Sequence, residues 1–293
     1  MANMERNTAR LQALAAAVLF STGGAGIKVE SFTVSQVSGV RSGIAALALL
    51  LWLRGRIRWT PRAVAAGVVY AATLSSFVGA TKLTTAANAI FLQSTAPLYL
   101  VLLAPLVLGE RVRRREAMYL ASAGAGMILC FIGRPVPTST APDPALGNWL
   151  GLASGLAWAL TLLTLRNIGR DDHGGHDTTV GAVVAGNLLA CLAALPFALP
   201  LPRGTTAEWV TLAYLGVFQI GLAYVCLSSA IRRLPALEVS LLLLLEPVLN
   251  PIWTWIIRGE DPGRWTILGG AVIVGATMIK LLIDARATED TKS

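Results

Sequence analysis

Residues 92–110 read LQSTAPLYLVLLAPLVLGE, and residues 242–260 read LLLLEPVLNPIWTWIIRGE. Pro97, Gly109 and Glu110 of the first stretch stand 150 residues before Pro247, Gly259 and Glu260 of the second. The same punctuation therefore falls at matching points of two long apolar segments. Five apolar spans separate one copy from the next, and an odd number makes the second copy cross a bilayer upside down. Inverted repeats with interrupted helices are one way a carrier builds a site that opens to either side.

Outward from these stretches the chain keeps the same character. Its 293 residues are 55% hydrophobic and 14% charged, with a mean hydropathy of +0.64. Soluble domains carry about a quarter charged residues. Cutting at charged and Pro/Gly clusters gives ten apolar spans: 11–29, 34–53, 63–81, 85–108, 117–133, 147–165, 179–200, 207–230, 236–257 and 265–283. Each is near the roughly 20 residues that cross a bilayer core. The expected fold is all-α and integral to the membrane, ten helices as two inverted five-helix repeats. The repeats would occupy 1–134 and 147–284, with a linker at 135–146 and a charged tail at 285–293.

A net charge of +8 in a soluble chain would suggest nucleic acid; here its placement argues for orientation. With the N-terminus inside, most basic residues fall on the inner side, including four arginines in 54–62 and four in 111–115. Only Lys28, Lys82, Arg134, Arg203, Arg258 and Arg264 fall outside, and Arg41 lies within the second span. The corner after Glu110 reads RVRRRE, whereas the corner after Glu260 reads DPGR. Charge and repeat agree on N-in, C-in. Arg6 and Arg10 precede an apolar run without a small-residue cleavage site, so the first span reads as an anchor, not a removed signal.

Cys130, Cys191 and Cys226 fall in apolar spans and read as small packing residues. His173 and His176 in DDHGGHD make no defined ligand set, so no metal is expected, and no cofactor motif occurs. Ala123 to Gly126 and Gly269 to Gly275 are small-residue faces, suited to helix packing or to a homodimer contact. Lys28 and Arg166 read as basic residues closing the first helix of each half at a membrane surface.

Proline within a membrane helix frees a carbonyl and bends the segment, which is tolerated where neighbours or water can satisfy the freed group. Spans four and nine each carry two, Pro97 with Pro105 and Pro247 with Pro251, expected as hinges beside a central cavity. Polar candidates for its lining are Gln93, Thr95, Ser240, Glu246 and Asn250 on those spans, with Ser21, Thr22 and Thr161 on spans one and six. Tyr70, Tyr99, Trp158 and Tyr224 could give the cavity an amphipathic wall. Most isolated Ser and Thr hydroxyls in such helices bond a carbonyl one turn back. Gln93, Glu246 and Asn250 are too long or too polar for that. A mid-span carboxylate costs about 3 kcal/mol to insert and faces an interior or an aqueous cavity. Glu246 therefore suits a cationic or amino group, a proton, or the backbone disturbed by Pro247.

With its mid-helix prolines leading to Gly109-Glu110-Arg111 and to Gly259-Glu260, its Phe20-Ser21-Thr22 and Ala157-Trp158-Ala159 stretches and its buried Arg41, the chain resembles the EamA family of the drug/metabolite transporter superfamily. The resemblance covers nearly the whole chain. It implies a basket of spans one, three, four, six, eight and nine around a cavity. It also implies export of small metabolites from a bacterial cytoplasmic membrane, with YddG-type amino-acid exporters as the functional comparison. The partners expected are a small-molecule substrate and the lipid bilayer, not nucleic acid. Cationic drugs or small amines are the alternative substrate. A membrane-embedded enzyme lacks clustered catalytic residues, and a non-transporting scaffold would not need matched breaks in both halves.

Overall fold

The computed structural model describes residues 2–290 apart from 54–56, 58, 97, 101, 104–113, 133–136, 172–174, 232, 235–238 and 240–241. Among the described residues, twelve helical segments are delimited: α1 Ala2–Ser21, α2 Gly23–Ile27, α3 Val34–Trp52, α4 Pro61–Leu83, α5 Ala86–Gln93, α6 Arg114–Ile132, α7 Pro144–Asp171, α8 Gly175–Ala198, α9 Thr206–Tyr214, α10 Ala223–Ile231, α11 Leu245–Arg258 and α12 Arg264–Asp290. A π-helical segment, Leu215–Leu222, joins α9 to α10. Among the described residues the only β pairing is an isolated bridge between Thr138 and Ala141. Among the described residues, five helical stretches are long and apolar enough to cross a membrane by themselves: Val34–Trp52, Pro61–Leu83, Pro144–Leu165, Thr178–Ala198 and Thr206–Ala230.

The starts of several helices are written in the sequence. Thr33, Thr60, Thr85 and Thr205 each precede a helix and accept a hydrogen bond from the backbone N–H three residues on. This satisfies a donor that the first turn would otherwise leave unpaired. Thr33 with Gln36 and Thr205 with Glu208 close full capping boxes. Glu208 also accepts from Ser31 N and Oγ, both at 2.9 Å, and so ties the start of α9 to the α2–α3 connection.

Where helices break differs from the sequence expectation. In span four the ladder ends at Gln93 and turns at Ser94-Thr95; in span nine it turns at Leu244. The turns are again 150 residues apart, and each precedes its proline. Proline has no N–H for the carbonyl four residues earlier, so the lost bond belongs to the turn before it. Pro247 accordingly lies in the first turn of α11, where a missing N–H costs little, instead of bending a continuous helix. Pro251 is carried inside α11, whereas Pro97 and Pro105 lie outside the described residues. Spans one and eight are also irregular: Thr22 separates α1 from α2, and the π segment interrupts span eight. Neither has a proline at the irregularity.

The halves pack chiefly against each other. Span three (α4) runs along α7 and α8, span two (α3) along α8 and the π segment, and α1 along α10 and α11. Backbones approach closely where glycine allows it. A Cβ on Gly67 would stand 2.9 Å from Gly186 N, and one on Gly186 would stand 2.5 Å from the Tyr70 ring. The two small-residue faces meet within the chain. Gly126 and Gly269 each lie so near the other's carbonyl that a Cβ would come within 2.8 and 2.6 Å of it. Tyr119 Oη meets Thr277 Oγ1 at 3.5 Å and a Cβ at Gly126 would meet Ile273, so α6 and α12 run antiparallel. This face is used internally.

One end of the bundle gathers five connections. Lys82 Nζ donates to Phe32 O at 2.7 Å and to Val29 O. Gln36 Nε2 donates to Ala198 O and Pro200 O at 3.1 and 3.0 Å. Asp143 N donates to Leu83 O at 3.1 Å. Arg258 Nε donates to Ala25 O at 3.1 Å. Lys28 joins this network. It is not the solvated anchor expected at a helix end but a buried cation, because the loops from both halves close over it. Arg166 does not end its helix either: α7 continues to Asp171. Residues 285–290, expected as a tail, extend α12.

Candidate functional site

The break in span one is a docking point for the second half. Ser21 Oγ donates to Val18 O at 2.6 Å and accepts from Trp253 Nε1 at 2.9 Å. Thr22 Oγ1 donates to Leu19 O at 2.7 Å and meets Tyr214 Oη at 3.1 Å. Gln219, from the π segment, reaches Phe20 O at 3.4 Å. Gly23 and Gly24 make room for this. A Cβ on Gly23 would meet Gln219 Nε2 at 2.9 Å, and one on Gly24 would meet Asn250 Oδ1 at 2.2 Å. Asn250 is completely buried, yet among the described residues neither its Nδ2 nor its Oδ1 has a hydrogen-bond partner.

A second polar chain links spans three, four and six. Gln93 Nε2 donates to Ser154 Oγ at 2.7 Å, and Ser154 Oγ donates to Thr73 O at 3.3 Å. Thr73 and Thr161 hydroxyls lie 3.1 Å apart, and Thr161 also bonds Ala157 O. Thr95 donates to Leu92 O at 2.5 Å, closing the turn before Pro97. Gly155 lets this turn approach α7: a Cβ there would stand 2.9 Å from Leu92 O. Gln93, Thr95 and Thr161 thus hold the span-four break against span six.

Between these two chains lies an aromatic group. Tyr224 packs edge-on against Phe20 and against Tyr70, with ring centroids 5.2 and 5.6 Å apart. Trp158 packs on the same apolar cluster. Tyr70 is buried with its hydroxyl turned toward Tyr224 and Asn187, and Gln219 Oε1 has no hydrogen-bond partner among the described residues. Arg41 and Glu246 both lie within electrostatic reach of Tyr224. Glu246, in the first turn of α11, is half-buried. A cavity of about 220 Å³ opens beside Tyr224, lined also by Leu49, Trp52, Val183, Ser228 and Ser229. It lies at the end of α3 remote from Lys28. Its lining comes from α3, α8 and α10, and Tyr224 is the one candidate residue among those that line it.

Of the residues chosen from sequence, Ser21, Thr22 and Asn250 come together at the first break, and Gln93, Thr95 and Thr161 at the second. Tyr70, Trp158, Tyr224 and Glu246 lie between them. Tyr99 does not join: it packs toward Leu98, Tyr119, Ala123 and Ala276 on the α6–α12 side. Ser240 lies outside the described residues. Sequence reasoning passed over Ser154, Asn187, Tyr214 and Trp253, each an ordinary residue of an apolar span until its partner is seen. At the far end, Lys28 Nζ donates to Thr84 O at 2.9 Å and to Thr140 O. Glu260 Oε1 accepts from Ala86 N, the first residue of α5, at 2.6 Å, where a helix N-terminus favours negative charge.

Similar proteins have this arrangement of sequence and fold. The profile of the EamA-like transporter family matches residues 7–132 and 145–282. A pseudopaline exporter, CntI, of Pseudomonas aeruginosa is 28% identical over 278 residues, covering 91% of this chain and 93% of that one. An uncharacterized transporter of Archaeoglobus fulgidus is 26% identical over 207 residues, 71% of each chain. A solved crystal structure superposes with a TM-score of 0.60 over 96% of this chain and 99% of its own, at 22% identity, a likeness of fold alone. The chain belongs to the EamA-like transporter family: an integral membrane transporter, not an enzyme, with ten helices in two inverted five-helix repeats.

Proposed function

We propose that this protein exports small amphipathic metabolites, with amino acids the preferred class, by alternating access. The observation that carries the reading is the convergence of three irregular spans, one, eight and nine, at Gly23 and Gly24, where Gln219 and Asn250 bring buried polar atoms that the described residues leave without partners. Irregular backbone in a membrane is tolerated where protein buries it or water reaches it, and corresponding breaks in inverted halves mark a transport site. The aromatic group beside the cavity favours a small solute with an apolar part. Export is supported by the relative named for exporting pseudopaline.

The units 1–134 and 147–284, joined by 135–146 and followed by 285–293, rock against each other about the breaks that precede Pro97 and Pro247. In an inner membrane with both termini cytoplasmic, the Lys28–Glu260 end faces outward and is closed, and the cavity beside Tyr224 lies toward the cytoplasm. Proteoliposome counterflow with a panel of amino acids tests the substrate class; failure of every amino acid to exchange removes it. Side-specific labelling of cysteines placed at Ser31 and Arg62 tests the orientation, since the two must react from opposite faces. A cationic drug or small amine is the second reading, favoured by the half-buried Glu246 carboxylate.

A further inference from the structure

Arg41 lies about two turns into α3, with 2% of its surface exposed. Its Nε and Nη1 have no hydrogen-bond partner among the described residues. A guanidinium cannot shed its charge, and a buried charge is retained only where it is paired or meets a ligand. The groups facing it are the Tyr70 and Tyr224 hydroxyls, which are neutral and lie within reach of each other. Among the described residues Arg41 therefore lacks an anion. Its backbone is firmly placed: a Cβ at Gly216 in the π segment would stand 2.9 Å from Arg41 O and 2.6 Å from Ile44 Cβ. The helix irregularity of span eight thus presses on span two at this residue. Tyr224 lies within electrostatic reach of both Arg41 and Glu246 and also lines the cavity.

We propose that Arg41 is the anion-recognition residue of the transport site, binding the carboxylate of a zwitterionic substrate between the Tyr70 and Tyr224 hydroxyls while the substrate's amino group turns toward Glu246. The proposal rests on the carrier reading and narrows it to molecules with a free carboxylate and a free amine. Arginine suits this role because its planar fork matches a carboxylate with two parallel hydrogen bonds. The two tyrosine hydroxyls can donate to the same oxygens. A substrate without the carboxylate leaves the guanidinium buried and unpaired, the situation in which a site rejects an analogue most strongly.

The test compares the best-exchanged amino acid of the counterflow panel with its amide and its decarboxylated amine. Wild-type protein should exchange the amide and the amine about ten-fold more slowly than the acid, or worse. Arg41→Gln should lose the acid by a similar factor and keep what amine exchange exists, and Arg41→Lys should recover part of the acid rate. Equal exchange of acid and amide by wild type, or an Arg41→Gln protein that folds and keeps the wild-type preference, overturns the proposal. If Arg41→Gln does not fold, the wild-type preference decides alone. If no amino acid exchanges, the amino-acid assignment fails separately. Thermal stabilisation of detergent-solubilised wild type by the panel then decides Arg41: stabilisation by acids and not by their amides upholds it, and equal or no stabilisation sinks it.

Discussion

Lys28 Nζ and Glu260 Oε2 lie 2.6 Å apart, with side chains 3% and 4% exposed. The pair joins the end of span one to the corner after span nine, one from each half. Oε2 is held by this ion pair, while Oε1 caps α5. Breaking a buried pair from one side strands a charge, at a cost of about 3–5 kcal/mol, whereas replacing both members with apolar groups is often close to neutral. Lys28→Met and Glu260→Leu should each destabilise the purified protein by that order, and the double variant should recover most of the loss. Denaturation of the four proteins in one detergent checks it, and simple additivity would count against the pair.

Gly24 should be nearly irreplaceable. The Cβ of Gly24→Ala would lie 2.2 Å from Asn250 Oδ1 and 3.0 Å from Ala86 Cβ, so two neighbours must move. Overpacking of this kind costs about 1–3 kcal/mol. Asn250→Ala in the same chain removes the nearer clash, so Gly24→Ala/Asn250→Ala should be more stable than Gly24→Ala. Melting temperatures of the three variants test this ordering.

Gly259 tests the helix end by backbone alone. It closes α11 at φ 63° with its N–H on Trp255 O at 2.9 Å, and nothing lies within 4 Å of an added Cβ. Gly259→Ala should therefore cost about 1–2 kcal/mol through left-handed strain, with no packing contribution. Gly259→Asn should cost less, because asparagine tolerates that region. A loss for alanine no larger than for asparagine would show that strain is not the cause.

Glu246 is tested through substrate selectivity. Glu246→Gln keeps the shape of the side chain and removes its charge. We expect about ten-fold slower exchange of substrates carrying a free amine, with a melting temperature near that of wild type. Counterflow across a pH series measures it. Unchanged exchange and an unchanged pH profile would leave Glu246 only the task of supporting the backbone around Pro247.

The prolines show how far sequence reading reaches. Pro97 and Pro247 point to breaks in spans four and nine, since a missing N–H is a property of the residue itself. The break falls at Ser94-Thr95 and at Leu244, because the unpaired carbonyl belongs to the preceding turn. The irregularities at Thr22 and in Leu215–Leu222 have no such residue. They follow from what docks there, Asn250 and Gln219 on the glycines of span one and Gly216 on Arg41.

Hydropathy, the 150-residue echo and threonine caps are local properties, and with them the chain alone determined ten spans, their alternating direction and several helix starts. Burial is not local. Lys28 read as a side chain free to reach water and Arg41 as a charge within the second span, and the approach of the other half sealed both in, the first against Glu260 and the second, among the described residues, without an anion. Tyr70 and Tyr99, alike in sequence as aromatic wall residues, were parted in the same way: helix packing turned one to the centre and the other toward α6 and α12. Which polar groups are paired, and which are left for a substrate, depends on contacts between residues far apart in the chain, and those exist only once both halves have met.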